Sequence, residues 1–279
     1  MLHQDFTLET SDGLSLFGRI RKPEKELKGV VVLIHGLGEH IGRYEHVSDV
    51  LAKSGYCLIG TDLRGHGRSP GLKGHFPGYD QVLDDIHRLV QYARNQFPSL
   101  PVFIYGHSLG GALTLYYLLK REPDLAGAIV SSPGLVPGEP PSVLKLTLAR
   151  MMNSLWPTFS LKNDLDLDNL SHNPEVKQAY VSDPLVHSMI SARLGWDLLT
   201  KGQWMMENAS KLQKPLLLMQ GSADHMVDPE INIQFARSLP SGMVTFKLWE
   251  GYYHEIHNEP GNNDVFLFMI NWLDKITSN

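Results

Sequence analysis

Residues 102–111 read VFIYGHSLGG, and this stretch decides the fold prediction. An apolar run rich in β-branched and aromatic residues stops at Gly106, and apolar residues then recur at helical spacing from Leu109 to Leu119. The pattern predicts a strand, a sharp turn with Ser108 at its apex, and a helix. In a Gly-x-Ser-x-Gly turn the backbone is strained so that the serine Oγ is exposed, and the glycines let strand and helix approach closely. We therefore expect Ser108 to be a nucleophile, with a plain strand-to-helix turn as the alternative.

Predicted strands alternate with predicted helices on both sides of this stretch. Four continuously apolar runs have the character of buried parallel strands, at 29–34, 56–60, 125–130 and 215–220. Amphipathic patterns predict helices between them, at 44–54 and 80–97, and residues 6–20 predict an opening hairpin. Strands that alternate with helices predict an α/β fold with a mostly parallel, doubly wound sheet.

The pattern changes between Leu135 and about Glu207, where a proline cluster precedes a segment rich in methionine and tryptophan. We expect residues 135–206 to form an inserted helical cap over the carboxyl ends of the strands, where such sheets bind ligands. Residues 1–134 and 207–279 would then form the core.

Composition excludes several classes of function. The chain has 279 residues, 42% of them apolar, and a formal net charge of −5 with no basic run, which argues against nucleic-acid binding. The single cysteine, Cys57, cannot form an intramolecular disulfide. The N-terminus does not resemble a signal peptide, and no apolar run approaches the roughly 18 residues that span a bilayer. We expect a cytoplasmic protein, with peripheral membrane contact left open.

A serine nucleophile needs a base and an acid that orients this base. Two candidates for the acid, Asp224 and Asp228, follow the predicted strand 215–220. Asp228 precedes Pro229 and is typical of a helix N-cap, so we favour Asp224 as the acid. A last strand is predicted at 243–249, and His254 follows it by a short loop. His254 is the predicted base because it completes the order Ser, Asp, His; His257 is the alternative.

Two backbone N–H groups are expected to bind the oxyanion. One belongs to Leu109, the residue after the serine, and the other to Leu37, in the loop after the strand 29–34. His35, His40 and His46 match no metal-ligand spacing, so we predict no metal site.

Several motifs together resemble the monoacylglycerol lipase and lysophospholipase group of α/β-hydrolases. They are HGLGEH at 35–40 followed by Arg43-Tyr44, DLRGHGRS at 62–69, GHSLGG at 106–111, YVSDPLV at 180–186, GSAD at 221–224 and YHEIH at 253–257. The resemblance implies an α/β-hydrolase fold and a serine hydrolase that cleaves monoacylglycerols or similar one-chain esters without a cofactor. By position it also implies that Glu39, Arg43 and His257 receive a glycerol head group, and it adds Tyr180 as a substrate contact.

The predicted cap carries many apolar side chains in a short span: Leu144, Leu148, Met151, Met152, Leu155, Trp156 and Phe159. They either pack the cap onto the core, or form a face of which part lines an acyl tunnel or stays exposed to a lipid surface. On the second interpretation Met151, Leu155 and Trp156 bind substrate. Alternative functions are a broad carboxylesterase, a lysophospholipase and, from another class, a non-catalytic small-molecule-binding protein of the same fold.

Overall fold

The computed structural model describes residues 2–24, 26–135, 143–163 and 165–278, without the side chains of residues 143–145. Ten strands lie in these residues: β1 (Leu2–Glu9), β2 (Ser15–Lys22), β3 (Gly29–Ile34), β4 (Tyr56–Thr61), β5 (Val102–His107), β6 (Gly127–Ser131), β7 (Ser160–Lys162), β8 (Met189–Ser191), β9 (Leu216–Gly221) and β10 (Val244–Trp249). Eight helices accompany them: α1 (Glu45–Lys53), α2 (Tyr79–Gln96), α3 (Leu109–Arg121), α4 (Val143–Leu155), α5 (Pro174–Ser182), α6 (Ala192–Asn208), α7 (Pro229–Ser238) and α8 (Asn262–Thr277).

One eight-stranded sheet forms the centre of the molecule, with the strand order β1-β2-β4-β3-β5-β6-β9-β10. The pairs from β4 to β10 are parallel, whereas β1 pairs with β2 and β2 with β4 in antiparallel orientation. The predicted hairpin and the predicted mostly parallel sheet are therefore confirmed.

Both faces of the inner parallel strands β3, β4, β5, β6 and β9 are covered, which explains why these strands are largely apolar. Successive side chains of β3 point to opposite faces, so Val30 and Val32 pack with α2 and α3 while Val31 and Leu33 pack with α1 and α8. All four side chains are at most 1% exposed. The architecture is that of a doubly wound α/β sheet.

The segment between β6 and β9 contains α4, α5 and α6 together with a ribbon in which β7 pairs antiparallel with β8. The sequence did not predict this ribbon, because three-residue strands are too short to display a period. Several backbone hydrogen bonds tie the segment to core loops. They include bonds from the His187 N–H to the Gly38 carbonyl and from the Ser191 N–H to the Gly74 carbonyl, both 2.9 Å, and from the Glu255 N–H to the Leu170 carbonyl, 2.8 Å. The cap boundaries stay a prediction; α6 continues two residues past position 206, to Asn208. The proline cluster at 137–141 lies outside the described residues.

Within the described part of the chain, no helix combines the length and the apolar character needed to cross a membrane.

Candidate active site

Ser108 occupies the turn between β5 and α3 with φ 54° and ψ −116°, a conformation that non-glycine residues rarely adopt. A Cβ on Gly106 would overlap the Gly110 carbonyl oxygen and the Thr114 hydroxyl, and a Cβ on Gly110 would overlap the Ile34 carbonyl oxygen. Strand, turn and helix are therefore packed so closely that only glycine fits on either side of the serine.

His254 lies between Ser108 and Asp224. Its Nε2 is 2.9 Å from Ser108 Oγ, and its Nδ1 is 2.8 Å from Asp224 Oδ2. Burial lowers the pKa of His254, but the charge and hydrogen bond of Asp224 outweigh this effect and raise the pKa above its usual value. Burial conversely raises the pKa of Asp224, and the interaction with His254 and two amide N–H groups holds it below its usual value. The arrangement keeps the carboxylate ionised and the imidazole basic.

The two candidate acids have different surroundings. Asp224 is buried, and its Oδ1 accepts from the amides of Met226 and Val227 at 2.8 and 3.1 Å. Asp228 instead accepts from the Glu230 amide at 2.9 Å and caps the N-terminus of α7, as the sequence predicted.

Two residues that hold Asp224 and His254 in place were not predicted from the sequence. The Gln220 amide donates to Asp224 Oδ2 at 3.0 Å, and the Ser132 hydroxyl donates to the His254 carbonyl at 2.8 Å. Ser132 directly follows β6, and Gln220 is the last residue but one of β9. No local sequence pattern shows that a polar side chain at such a position bonds to a catalytic residue.

The loop after β3 lies directly against the serine, because a Cβ on Gly36 would be 3.4 Å from Ser108 Cβ. Leu37 and Leu109 both line the cavity that contains Ser108. In the described part of the chain, neither of their amide N–H groups donates to a protein acceptor. Both are thus available to a ligand oxygen at the place where the sequence predicted an oxyanion hole.

His35 has a structural environment. Its Nε2 accepts from the Leu63 amide and its Nδ1 donates to the Gly36 carbonyl, both at 2.8 Å. Burial lowers the pKa of His35 to about 3, so the ring is neutral. It fixes the start of the loop that carries Leu37. No group of three or more histidine, cysteine or acidic side chains suited to a metal ion occurs among the described residues.

The serine opens into a mainly apolar cavity of about 350 Å³. A second apolar cavity, of about 390 Å³, lies between α4, α6 and the β7–β8 ribbon. Leu161 and Ile190 line both cavities, and they are directly paired across the ribbon. The two cavities therefore adjoin at one cross-strand pair.

The residues proposed for a head group form a buried cluster beside the serine loop. Arg43 donates to both Glu39 and Glu255, and its guanidinium carbon lies 4.8 Å from the centre of the Tyr180 ring. His257 is stacked on Tyr44 with 5.1 Å between ring centres. Glu39, Arg43, Tyr180 and His257 all lie outside the lining of the Ser108 cavity, so their predicted contact with substrate stays a prediction.

The cap residues predicted to bind substrate lie on the outer surface. Met151, Leu155 and Trp156 are 50%, 75% and 58% exposed, and they line neither apolar cavity. Met152 and Phe159 line the outer cavity, whereas the side chain of Leu144 lies outside the described residues. The apolar stripe is thus divided between a cavity wall and an exposed face.

Comparison with known proteins places these features in a family. Residues 25–261 match the model of the family described as serine aminopeptidase, S33. The chain is 36% identical over 274 residues to an uncharacterised abhydrolase domain-containing protein of Dictyostelium discoideum, covering 98% of this chain and 29% of that protein. It is 32% identical over 262 residues to a monoacylglycerol lipase of Mycolicibacterium smegmatis, covering 94% of this chain and 93% of that protein.

The fold is also similar to a solved structure of a soluble variant of monoglyceride lipase from Saccharomyces cerevisiae in complex with a substrate analog. The TM-score is 0.90 at 27% identity, over 100% of this chain and 97% of that chain.

Proposed function

The chain belongs to the hydrolase family described as serine aminopeptidase, S33, and from this premise we propose that it cleaves monoacylglycerols into fatty acid and glycerol through Ser108, His254 and Asp224. It is a carboxylic ester hydrolase of the α/β-hydrolase fold and resembles monoacylglycerol lipases over most of its length. The substrate and the roles of the three side chains are the parts that we propose.

In the proposed reaction His254 Nε2 accepts the Ser108 hydroxyl proton as Oγ attacks the ester carbonyl. The oxygen that becomes negative is received by the amides of Leu37 and Leu109, and Asp224 stabilises the imidazolium. His254 then gives its proton to the glycerol oxygen, and glycerol leaves. Water, deprotonated by the same nitrogen, attacks the acyl-enzyme carbonyl. The bond from this carbon to Ser108 Oγ then breaks, the fatty acid leaves, and His254 returns the proton to Oγ.

One observation carries the choice of substrate: Ser108, hydrogen-bonded to His254, lines an apolar cavity that adjoins a second one. A short acyl chain fits in the cavity of about 350 Å³, and a longer chain extends past Leu161 and Ile190 into the outer cavity. No carboxylate occurs among the described residues that line the Ser108 cavity, so a free α-amino group, which an aminopeptidase must bind, finds no counter-charge there.

We further propose that the exposed apolar face of α4 and the residues after it contact a lipid surface. Leu148, Met151 and Leu155 follow one another at helical spacing, and all are at least half exposed. Trp156 comes directly after them and is 58% exposed. An exposed apolar patch of this kind is typical of surfaces that contact membranes or partners. A membrane is the source of the poorly soluble substrate.

Hydrolysis of a graded substrate panel tests the proposal. The panel holds monoacylglycerols, lysophospholipids and p-nitrophenyl esters of increasing chain length, together with an aminoacyl anilide as the peptidase substrate. We expect the highest kcat/KM on a monoacylglycerol whose chain is long enough to enter the outer cavity.

Other outcomes assign other functions. Preference for a lysophospholipid would make the chain a lysophospholipase, and equal turnover of short esters would make it a broad carboxylesterase. If a fluorophosphonate, which reacts quickly only with an activated serine, does not label Ser108, the protein is a non-catalytic binder.

A further inference from the structure

The loop that carries Leu37 and the loop that carries His254 are joined by one side chain, Arg43. Its Nη1 donates to Glu39 Oε2 at 2.6 Å, two residues after Leu37. The same guanidinium donates to Glu255, the residue after His254, through Nη1 at 2.7 Å and Nη2 at 2.9 Å. Arg43 itself lies on a single helical turn, Ile41–Tyr44, between the two loops.

Each carboxylate also binds within its own loop. Glu39 Oε1 accepts from the Gly36 amide at 2.5 Å and from the Tyr44 hydroxyl at 2.7 Å. Glu255 Oε2 accepts from the Asn258 amide group at 2.7 Å. A continuous series of hydrogen bonds therefore connects Gly36, directly before Leu37, with Glu255, directly after His254.

This series is buried and charged. Glu39 and Glu255 are each 2% exposed. Burial raises the pKa of Glu255, but Arg43 outweighs this effect and holds it well below its usual value. Burial lowers the pKa of Arg43, and the two carboxylates more than compensate, so its pKa lies well above the usual value. Ion pairs in such a low-dielectric site hold their geometry strongly because water cannot replace either partner.

We propose that Arg43 is a positioning residue that fixes the Leu37 amide relative to the His254 imidazole. The proposal rests on the proposed serine hydrolase function of that site. The loop before Glu39 contains Gly36 and Gly38, which have little conformational preference of their own, so contacts from outside the loop must fix where the Leu37 N–H points. His35 and the His187 N–H hold the carbonyls of these two glycines. An oxyanion donor must lie about 2.7–3.1 Å from the oxygen that becomes negative, and a displacement of about 0.5 Å from this position already weakens its effect. The hydrogen bonds of Arg43 to Glu39 and Glu255, which we call the clamp, add a restraint on this loop from the opposite loop.

The competing role for Arg43 is contact with the glycerol head group. An ester without glycerol distinguishes this role from positioning, because only positioning affects its hydrolysis. p-Nitrophenyl butyrate has a short acyl chain and no glycerol. If Arg43 positions the two loops, Arg43→Met lowers kcat by about 10²-fold on both p-nitrophenyl butyrate and a monoacylglycerol, because a displacement of about 1 Å is enough for such a loss. KM should change by less than about threefold on either ester.

Arg43→Lys provides the conservative variant. An ammonium is a point donor that cannot form the two-pronged contact with Glu255 while also reaching Glu39. We expect it to fold and to retain part of the activity, with kcat on p-nitrophenyl butyrate about tenfold below wild type. Wild-type kcat on this ester in Arg43→Lys would overturn the proposal.

The matched control is Arg64, a second buried arginine that joins two elements through carboxylates. It donates to Asp85 at 2.7 Å and to Asp12 at 2.9 Å, away from the Ser108 cavity. Arg64→Met should lower the melting temperature as Arg43→Met does, with kcat per folded molecule unchanged. If both variants lose kcat equally, Arg43 contributes only stability and the proposal fails.

A triple variant controls for a failure of Arg43→Met to fold, because that variant leaves the buried carboxylates of Glu39 and Glu255 without a counter-charge. In Glu39→Gln/Arg43→Met/Glu255→Gln the charges are absent, yet Gln at position 39 still accepts from the Gly36 amide. Loss of kcat in this variant, at a melting temperature near wild type, supports the clamp, and wild-type kcat overturns it.

The outcomes also separate this inference from the proposed function. A loss confined to monoacylglycerol, expressed in KM, would assign Arg43 to head-group binding and refute positioning. If the wild type does not hydrolyse monoacylglycerols but Arg43→Met still lowers kcat on p-nitrophenyl butyrate, the proposed substrate is refuted and the positioning role is supported.

Discussion

The loops around Ser108 and the outer face of the cap differ in what they bury. Glu39, Glu255 and Glu259 are carboxylates at 2% exposure, each held by several donors, whereas Leu155 and Trp156 are apolar and 75% and 58% exposed. Near the serine, charges are buried; on the cap, apolar surface is exposed. Both arrangements oppose the usual distribution: a buried carboxylate costs desolvation free energy that its donors must offset, and an exposed apolar side chain contributes no free energy of burial.

We infer from this contrast that the two regions have different roles. A reacting centre needs donors held in fixed directions, which buried ion pairs and hydrogen bonds provide. Glu259 extends this restraint to the cap, because it accepts from the amides of Tyr253 and His172 at 2.6 and 3.1 Å. A surface that contacts lipid needs exposed apolar area without fixed geometry. Changes in the first region should therefore act on kcat, and changes in the second on access to insoluble substrate.

The largest effect is expected from Ser108→Ala, which removes the proposed nucleophile. Triad knockouts elsewhere suggest a loss in kcat between about 10³-fold and 10⁶-fold, with the fold retained. Steady-state kinetics on p-nitrophenyl butyrate, with circular dichroism to check folding, measure this. Near-normal activity in a preparation free of other esterases would refute the proposed mechanism.

Asp224→Asn should lower kcat by about 10⁴-fold, because the amide can stabilise the wrong imidazole tautomer. Asp224 raises the pKa of His254, so without it the pKa falls. His254 must be neutral to act as the base, so the residual activity should rise at a lower pH than in the wild type. The pH profile of kcat/KM measures this shift.

Asp228→Ala is the matched control for the acid. Loss of the α7 N-cap should lower stability by about 1 kcal/mol and leave kcat unchanged. Thermal melting and kinetics on the same samples compare the two variants. If Asp228→Ala loses turnover and Asp224→Asn does not, our assignment of the acid is reversed.

The smallest effect is expected from Leu155→Asp/Trp156→Ser on the cap. If this face contacts lipid, the double variant should bind liposomes several-fold more weakly and turn over a long-chain monoacylglycerol more slowly. Hydrolysis of a soluble acetate ester should be unchanged, because both side chains lie outside the Ser108 cavity. Equal losses on both substrates, with a lower melting temperature, would mean that these residues stabilise the cap.

Local sequence determined the secondary structure of the core. Periodicity predicted the strands and helices of the core, because buried parallel strands and amphipathic helices each leave a pattern within a few residues. The turn at Ser108 and the N-cap at Asp228 were predictable for the same reason: a glycine-flanked serine and an Asp-Pro pair each fix the backbone where they stand. His254 and Asp224 were selected by chain order and by their distance from strand ends, and the fold places His254 beside Ser108 and Asp224 beside His254.

Tertiary structure alone decided the contacts between distant segments. Arg43 and Glu255 are 212 residues apart, and nothing in either segment indicates that the other is its partner. The same holds for the Leu161–Ile190 pair that separates the two cavities, and for the outward direction of Met151, Leu155 and Trp156. An apolar stripe specifies that a helix has an apolar face, but which face is covered depends on what the rest of the chain packs against it.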